Sequence, residues 1–235
     1  MSAITFRQWV KRRDNALADN LWRLAKAARG FSMPVVPGLH RALYASYVGG
    51  RGLCAEAARV LWWTPLFQSR LSSPTPGLHL YGGLPLVLGP LRMSLGPDCR
   101  VSAQTTFSGR TASAATPELV IGRNCDIGWQ TTIAVGRRIV LGDNVRIAGR
   151  AFLAGYPGHP LDARARAAGL PDEEAQVGDI VLEDDVWLAT GVTVSAGVAI
   201  GRGTVVAAGS VVTRDLPPFV LAAGAPAKVI RSLGE

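Results

Sequence analysis

An aliphatic residue recurs at every sixth position of residues 182–212, which read LEDDVWLATGVTVSAGVAIGRGTVVAAGSVV. An α-helix repeats near 3.6 residues and a strand near 2, so neither element explains this period. The aliphatic residues are Leu182, Leu188, Val194, Ile200, Val206 and Val212. A backbone that makes three short strands per coil, each about six residues long with its corner, does explain it. The period therefore predicts a triangular parallel β-helix with these side chains inside.

The same period occurs earlier in the chain. In-phase aliphatic and aromatic residues are Ile121, Ile127 and Ile133, then Leu141, Ile147 and Leu153, and more faintly Leu95, Val101 and Phe107. Small or branched residues follow four positions after the aliphatic ones in the last block, namely Val186, Val192, Val198, Thr204 and Ser210. The phase slips around 110–120 and 134–140, where we expect short bulges or loops to leave the coil.

Charge is distributed unevenly along the chain. Of 235 residues, 48% are hydrophobic, a composition that excludes a disordered chain. Residues 1–75 contain eleven Lys or Arg against three Asp or Glu, whereas residues 76–235 contain fourteen of each. The whole net charge of +8 therefore belongs to the first third of the chain.

Cysteine usage and hydropathy indicate the compartment. Cys54, Cys99 and Cys125 cannot pair completely and lack metal-ligand spacing, which favours a reducing compartment. Cys99 and Cys125 fall at the small position of their hexads, so we expect them to pack inward. FRQWVKRRDN near the amino terminus has no apolar stretch behind its charges, and no window offers about 18 uninterrupted apolar residues. We expect a cytoplasmic protein without a signal peptide or spanning helix.

A long polar segment interrupts the repeat. The pattern stops at Leu153 and resumes near Ile180, and the segment at 154–180 is too long for a turn. Loops on a rigid scaffold often carry chemistry. The segment contains His159, and the ordinary pKa of a histidine suits proton removal near neutral pH. His159 is the candidate general base, with Asp162 as the candidate carboxylate that holds its other ring nitrogen. The alternative is a surface histidine without a role.

Two stretches resemble a known family. They are AAGSVVTRDLPPFVLAAGAPAKVIR at 207–231 and GHPLDARAR at 158–166. Both are similar to the closing segment and the active-site loop of the hexapeptide-repeat acyltransferases, in the branch of maltose, galactoside and xenobiotic O-acetyltransferases. The resemblance covers roughly residues 120–232. It implies a left-handed parallel β-helix, a homotrimer with active sites between subunits, acetyl-CoA as the acyl donor and no metal.

The resemblance also implies roles for individual residues. His159 would deprotonate an acceptor hydroxyl, which attacks the activated thioester directly. Contacts to coenzyme A would fall on Thr190, Ala208, Thr213 and Arg214, and cations near its phosphates on Lys228 and Arg231. Basic side chains suit a ligand with several phosphate charges. The alternative for each residue is a solvated surface position.

One position departs from the family pattern. The sugar-acetylating relatives carry an asparagine, credited with stabilising the transition state, at the place that falls by counting on Gly128. Glycine has no side-chain donor. Either Trp129, Gln130 or a backbone N–H makes the oxyanion contact, or the alignment across the bulge is shifted.

The first 75 residues lie outside the resemblance. FRQWVKRRDNALADNLWRLAKAARG has the pattern of one amphipathic helix with a basic face, and CAEAARVLWWTPLF is a second apolar segment. Tryptophan beside lysine and arginine is typical of proteins that lie on anionic membranes. The alternative is a helical cap over the open end of the β-helix. Nucleic acid explains the charge less well, because no recognition motif accompanies it.

The sequence thus predicts a mainly β enzyme: a basic helical region at 1–75 and a left-handed β-helix domain at 76–235. We expect an O-acetyltransferase that moves an acetyl group from acetyl-CoA to a saccharide hydroxyl, on a lipid-linked sugar or a surface-polysaccharide precursor. The alternative is acyl transfer from acyl carrier protein to a lipid precursor. A metal-dependent hydratase would need three converging histidines, and His40 and His79 lie outside the clear coils. A catalytically inactive scaffold fits poorly with the GHPLD motif.

Overall fold

The computed structural model describes residues 3–234. The chain divides into two compact units, Met1–Arg51 and Gly52–Glu235. The boundary falls within a long helix, so some helical residues of the amino-terminal third belong to the second unit.

The first unit is helical. Its elements are α1 (Ala3–Arg12), α2 (Ala16–Gly30) and the first part of α3 (Pro37–Ala58). The single amphipathic helix expected over this stretch is wrong, because the backbone breaks at Arg13, whose φ is +57°. Asn15 then begins α2 as its N-cap, since its Oδ1 accepts a hydrogen bond from the Ala18 N–H at 2.8 Å.

The helical residues near the start of the second unit cover one end of the β-helix. A π-helical turn at Arg59–Trp63 leads into α4 (Thr64–Gln68). Phe67 of α4 is buried in the core of the coils, and its ring lies 5.9 Å from that of Phe107. Trp63 and Leu71 pack against the same core.

The second unit is a coil of three sheets. The first sheet contains β1 (His79–Tyr81), β4 (Arg100–Ser102), β7 (Asp126–Ile127), β10 (Arg146–Ile147), β13 (Trp187–Leu188), β16 (Val205–Val206), β18 (Val220–Gly224) and β19 (Ala227–Ser232). The second contains β2 (Leu86–Leu88), β5 (Thr106–Gly109), β8 (Thr132–Val135), β11 (Phe152–Ala154), β14 (Thr193–Ser195) and β17 (Val211–Val212). The third contains β3 (Arg92–Leu95), β6 (Glu118–Ile121), β9 (Arg138–Leu141), β12 (Ile180–Leu182) and β15 (Ala199–Ile200).

Each strand pairs in parallel with the equivalent strand of the next coil, except that β19 returns antiparallel to β18. The register stacks the hexad positions: Leu153 lies opposite Ile133 on one side and Val194 on the other. All six aliphatic residues of 182–212 are at most 1% exposed. The predicted inward-facing period of six is therefore confirmed, and Cys99 and Cys125 are buried as expected.

Both predicted phase slips and the long polar segment fall at one corner of the triangle. We call the turn from the first sheet to the second the first corner, and the turn from the second to the third the second corner. Residues 110–117 and 155–179 both leave the coil at the second corner, between β5 and β6 and between β11 and β12. The connection from β8 to β9 at the same corner contains only Gly136 and Arg137.

Candidate active site

The segment at 155–179 carries His159 out from the second corner. It contains one helical turn, α5 (Ala163–Ala167), and a 3₁₀ turn at Glu174–Gln176. The His159 side chain is exposed and makes no hydrogen bond or ion pair with any residue of 3–234. An imidazole without a protein partner can exchange a proton with a molecule that reaches it.

The backbone on both sides of His159 is hydrogen-bonded, although its ring is not. The Gly158 N–H donates to Asp172 Oδ2 at 3.2 Å, and the Pro160 carbonyl accepts from Arg166 Nη1 at 2.9 Å. Pro160 is buried. The backbone around the candidate base is thus tied to its own loop on both sides.

Asp162 does not hold the histidine. Its Oδ1 accepts a hydrogen bond from the Ala165 N–H at 2.7 Å, which makes it the N-cap of α5. The expectation that this carboxylate orients the His159 ring is therefore wrong, because a capping bond three residues along the chain occupies it.

Two of the expected coenzyme A contacts lie together at the first corner. Thr190 follows β13 and Ala208 follows β16, one coil further on. The Gly209 N–H donates to the Thr190 carbonyl at 2.9 Å, so the two turns stack directly. Thr190 and Ala208 are both exposed there.

The last strand brings a cation towards the same corner. Lys228 on β19 lies opposite Ala223 of β18, and the next residue, Gly224, donates its N–H to Ser210 Oγ at 3.1 Å. Arg231 lies further along β19, opposite Leu221. Both cations are exposed, and neither forms a salt bridge within the described chain.

Thr213 and Arg214 occupy the second corner instead. They follow β17 and precede Leu216, which bridges to Ile200 of the third sheet. Both side chains are exposed. The structure therefore gathers Thr190, Ala208 and Lys228 at one corner, and places Thr213 and Arg214 at the corner from which the His159 segment departs.

Gly128 lies at the first corner and is buried. A Cβ built there would stand 2.7 Å from the Gly149 backbone nitrogen and 2.8 Å from the Ile147 carbonyl oxygen, which are closer than real contacts allow. The position accommodates no side chain, so an asparagine could not replace the glycine without moving the next coil.

The neighbouring residues form an aromatic depression of about 410 Å³ on the first sheet. Trp129 and Trp187 are each half exposed there, beside Asp126 and Arg146. The guanidinium of Arg150 lies 5.5 Å from the centre of the Trp129 ring, within cation–π range. Trp187 was not singled out from the sequence, although its position next to the inward-facing Leu188 already implies that it points outward.

The histidines do not form a metal site. His40 lies in the first turn of α3, outside the coils as expected, whereas His79 lies in β1 of the first coil. Within residues 3–234, no three His, Cys, Asp or Glu side chains gather as metal ligands would.

The buried pair of Arg110 and Asp172 was missed by sequence reasoning. Arg110 Nε donates to Asp172 Oδ1 at 2.7 Å, and each side chain is only 4% exposed. The pKa of Arg110 is raised, chiefly because Asp172 accepts its hydrogen bond. The only signal available was that Arg110 stands where the first phase slip begins and Asp172 lies in the polar segment that interrupts the repeat. The corner they share is visible only in three dimensions.

Comparison with known proteins gives a partial match. Residues 179–214 match the family described as bacterial transferase hexapeptide (six repeats). Over 115 residues the chain is 38% identical to galactoside O-acetyltransferase of Escherichia coli (strain K12), a stretch that covers 49% of this chain and 54% of that protein. The chain thus spans about half the length of the curated relatives it matches. The predicted resemblance to hexapeptide-repeat acyltransferases is confirmed.

Solved structures establish the fold. AntD, an N-acyltransferase from Bacillus cereus in complex with dTDP and 3-hydroxybutyryl-CoA, matches with a TM-score of 0.56 at 16% identity, over 72% of this chain and 86% of AntD. A second AntD structure, a point mutant in complex with dTDP-4-amino-4,6-dideoxyglucose and coenzyme A, gives a TM-score of 0.53 at 20% identity and covers 67% and 84%. The chain is a left-handed parallel β-helix with a helical amino-terminal part.

Proposed function

Since residues 179–214 carry the bacterial transferase hexapeptide repeat on a left-handed β-helix, we propose that this chain is an acetyl-CoA-dependent O-acetyltransferase. One observation carries the proposal: His159 is exposed and unpartnered within residues 3–234, while the backbone on both sides of it is hydrogen-bonded. A general base needs this combination, because its ring must reach the acceptor and its position must be reproducible.

In the proposed reaction, His159 removes the proton of an acceptor hydroxyl. The hydroxyl oxygen attacks the thioester carbonyl carbon, and the tetrahedral intermediate collapses with loss of the coenzyme A thiolate. The thiolate takes up the proton from the imidazolium, so the base is regenerated. No covalent enzyme intermediate is needed, because a thioester is already activated towards attack.

The oxyanion of this intermediate needs a donor other than a side chain at position 128. The tight contact between Gly128 and the next coil leaves no room for a side chain at this position. The candidates are Trp129, Gln130 and a backbone N–H at the first corner. The indole of Trp129 lies against Gly149, and Gln130 is exposed with φ of +57°, so both side chains flank this turn.

We propose that the acyl donor, acetyl-CoA, binds at the two corners that border the second sheet. Thr190 and Ala208 offer an open turn for the pantetheine arm, Thr213 and Arg214 offer further contacts, and Lys228 and Arg231 offer positive charge for the phosphates. An arginine can hold two phosphate oxygens at once.

Replacing Lys228 or Arg231 with alanine is expected to weaken binding of coenzyme A more than binding of dephospho-coenzyme A. The reason is that the removed cation is proposed to contact the phosphate group that dephospho-coenzyme A lacks. Isothermal titration with both ligands measures the difference, and Arg202→Ala is the matched control, because this exposed arginine pairs with Asp185 at another corner. Equal losses for both ligands would mean that Lys228 and Arg231 are solvated surface residues that do not contact this phosphate.

The proposed site is shared between copies of the chain, as in a homotrimer. The first and second corners of one chain lie at opposite ends of the second-sheet strands, and the three residues of β14 alone span roughly 10 Å. One acetyl-CoA molecule would then bind between two copies of the chain. One copy would contribute the His159 segment at its second corner, and its neighbour the turn of Thr190 and Ala208 at its first corner.

We propose a saccharide hydroxyl as the acceptor, on a lipid-linked sugar or a nascent surface polysaccharide. The galactoside O-acetyltransferase relative is named for a sugar acceptor. The alternative function is transfer of a longer acyl chain from acyl carrier protein to a lipid precursor. Side-by-side assays with acetyl-CoA, longer acyl-CoA and acyl carrier protein thioesters test the proposal, which requires acetyl-CoA to be the best donor. Preference for a long-chain carrier-protein thioester would favour the alternative.

We further propose that the first unit contacts an anionic membrane surface on the cytoplasmic side. Trp22 is poorly available for insertion, because the Arg13 guanidinium and the Lys26 ammonium lie 4.9 and 5.1 Å from its ring centre. Large apolar side chains that are exposed instead cluster at residues 31–48, including Phe31, Met33, Val35, Leu39, Leu43, Tyr44 and Tyr47. The described part of the chain contains no helix long and apolar enough to cross a bilayer.

Binding to vesicles is expected to require anionic lipid and to fall as salt rises. Seven Lys or Arg among residues 1–30, against Asp14 and Asp19, provide the attraction. Each surface cation contributes about 1 kcal/mol, and the effect fades within a Debye length. Flotation with phosphatidylserine vesicles measures it; Phe31→Ser with Tyr44→Ser should reduce flotation, and Leu170→Ser in the His159 segment should not. No flotation at low salt would leave the capping role as the better account of the basic region.

A further inference from the structure

The ion pair between Arg110 and Asp172 joins the two segments that leave the second corner. Arg110 Nε donates to Asp172 Oδ1 at 2.7 Å, and Nη2 donates to the Asp172 carbonyl at 2.9 Å. A third bond runs from Nη1 to Glu174 Oε2 at 2.6 Å. Both members of the pair are 4% exposed, although they lie 62 residues apart in sequence. Each of the three guanidinium nitrogens thus donates to a single short stretch of the His159 segment, residues 172–174.

The other oxygen of Asp172 reaches the residue before the candidate base. Asp172 Oδ2 accepts the Gly158 N–H at 3.2 Å, and Gly158 has φ of +80°, a conformation that favours glycine. His159 in turn precedes Pro160, and a residue before proline is restricted to extended conformations. The backbone of His159 is therefore bounded by a hydrogen-bonded glycine on one side and a buried proline on the other.

Arg110 itself is fixed to the rigid coil. It directly follows β5, and its N–H donates to the Val135 carbonyl of β8 at 3.0 Å. A continuous path of short contacts thus leads from the β-helix through Arg110 and Asp172 to Gly158. A buried ion pair is weak evidence for stability, because desolvation offsets much of its attraction. A role in geometry explains the pair better than a role in stability.

We propose that Arg110 and Asp172 are positioning residues that aim His159 at the acceptor hydroxyl. They act through the Gly158 backbone and touch neither the acceptor nor the donor. This inference rests on the proposed function, since it takes His159 to be the general base. Misplacing a reacting group by about 1 Å can reduce the rate about 100-fold.

The test uses the full chain with Arg110→Met and Asp172→Leu combined, because replacing a buried ion pair by apolar residues of similar volume often leaves the fold intact. Arg110→Lys is the second variant, since it keeps the charge but loses the fork. Arg137→Ala is the matched control: this half-exposed arginine lies at the same corner and meets Glu174 and Asp179 at 3.6 Å. Each variant is assayed for Tm, for kcat and KM with acetyl-CoA, and for amide hydrogen exchange at residues 156–161.

We expect the double variant to remain folded, to exchange faster at 156–161, and to lose about 10- to 100-fold in kcat with little change in KM. Arg137→Ala should match the wild type. Unchanged kcat, or a lower kcat with unchanged exchange at 156–161, would overturn the proposal. If the double variant unfolds at the assay temperature, the same readouts on Arg110→Lys decide. Full activity of His159→Ala would instead remove the base assignment, whereas the exchange rates still report whether the pair holds Gly158.

Discussion

Replacing His159 with alanine is expected to lower acetyl transfer about 10²- to 10⁴-fold while the protein folds as before. The large effect follows from the proposed proton removal, for which alanine offers no substitute. The small structural effect follows from the geometry, because the exposed ring contributes no hydrogen bond or ion pair within residues 3–234. Initial rates with saturating acetyl-CoA, together with Tm, measure both parts.

His79→Ala is the control for this variant. His79 is also exposed, but it lies on β1 in the first coil, and we expect its removal to leave the rate nearly unchanged. Near-full activity of His159→Ala would contradict general-base catalysis by this residue. Loss of activity together with loss of the folded state would show that the residue serves the fold.

Replacing Phe107 with alanine is expected to lower the free energy of unfolding by about 3–5 kcal/mol. Phe107 is fully buried on β5 and packs against Phe67 of α4, so it joins the coils to the helix that covers their end. Its removal would leave a cavity that neighbouring strands, fixed by parallel ladders on both sides, cannot close.

Urea unfolding followed by circular dichroism measures this change. Phe152→Ala on β11 is the matched control, because Phe152 is 40% exposed on the outer face of the same sheet. We expect the control to cost less than half as much. Similar losses at both positions would mean that the interior of the coil is not packed as the structure has it.

The coil could be predicted from the sequence because its order is local. The burial of each hexad aliphatic residue, such as Leu188 or Val194, depends only on its position within its own coil. The period of six is therefore visible in one sequence. The segment with His159 was visible for the same reason, since the period stops at Leu153 and β12 begins at Ile180.

Features that depend on which segments meet in space could not be predicted in the same way. Arg110 and Asp172 lie 62 residues apart, and nothing in the sequence indicates that both segments leave the same corner. Other errors had local signals that were overlooked. Asn15 and Asp162 both stand at N-caps. Asn15 begins α2 and so divides the stretch that was predicted as a single helix. Asp162 accepts the Ala165 N–H and does not orient the His159 ring.

The central claim is transfer of an acetyl group from acetyl-CoA to a saccharide hydroxyl, and one measurement tests it most directly. The full chain is incubated with acetyl-CoA labelled in its acetyl group and a panel of free, polymeric and lipid-linked saccharides, and the products are analysed by mass spectrometry. The account predicts O-acetylated saccharide in amounts equal to the coenzyme A thiol released, and about 10²- to 10⁴-fold slower formation with His159→Ala. Absence of label from every hydroxyl acceptor, with a folded protein that binds acetyl-CoA, would contradict it.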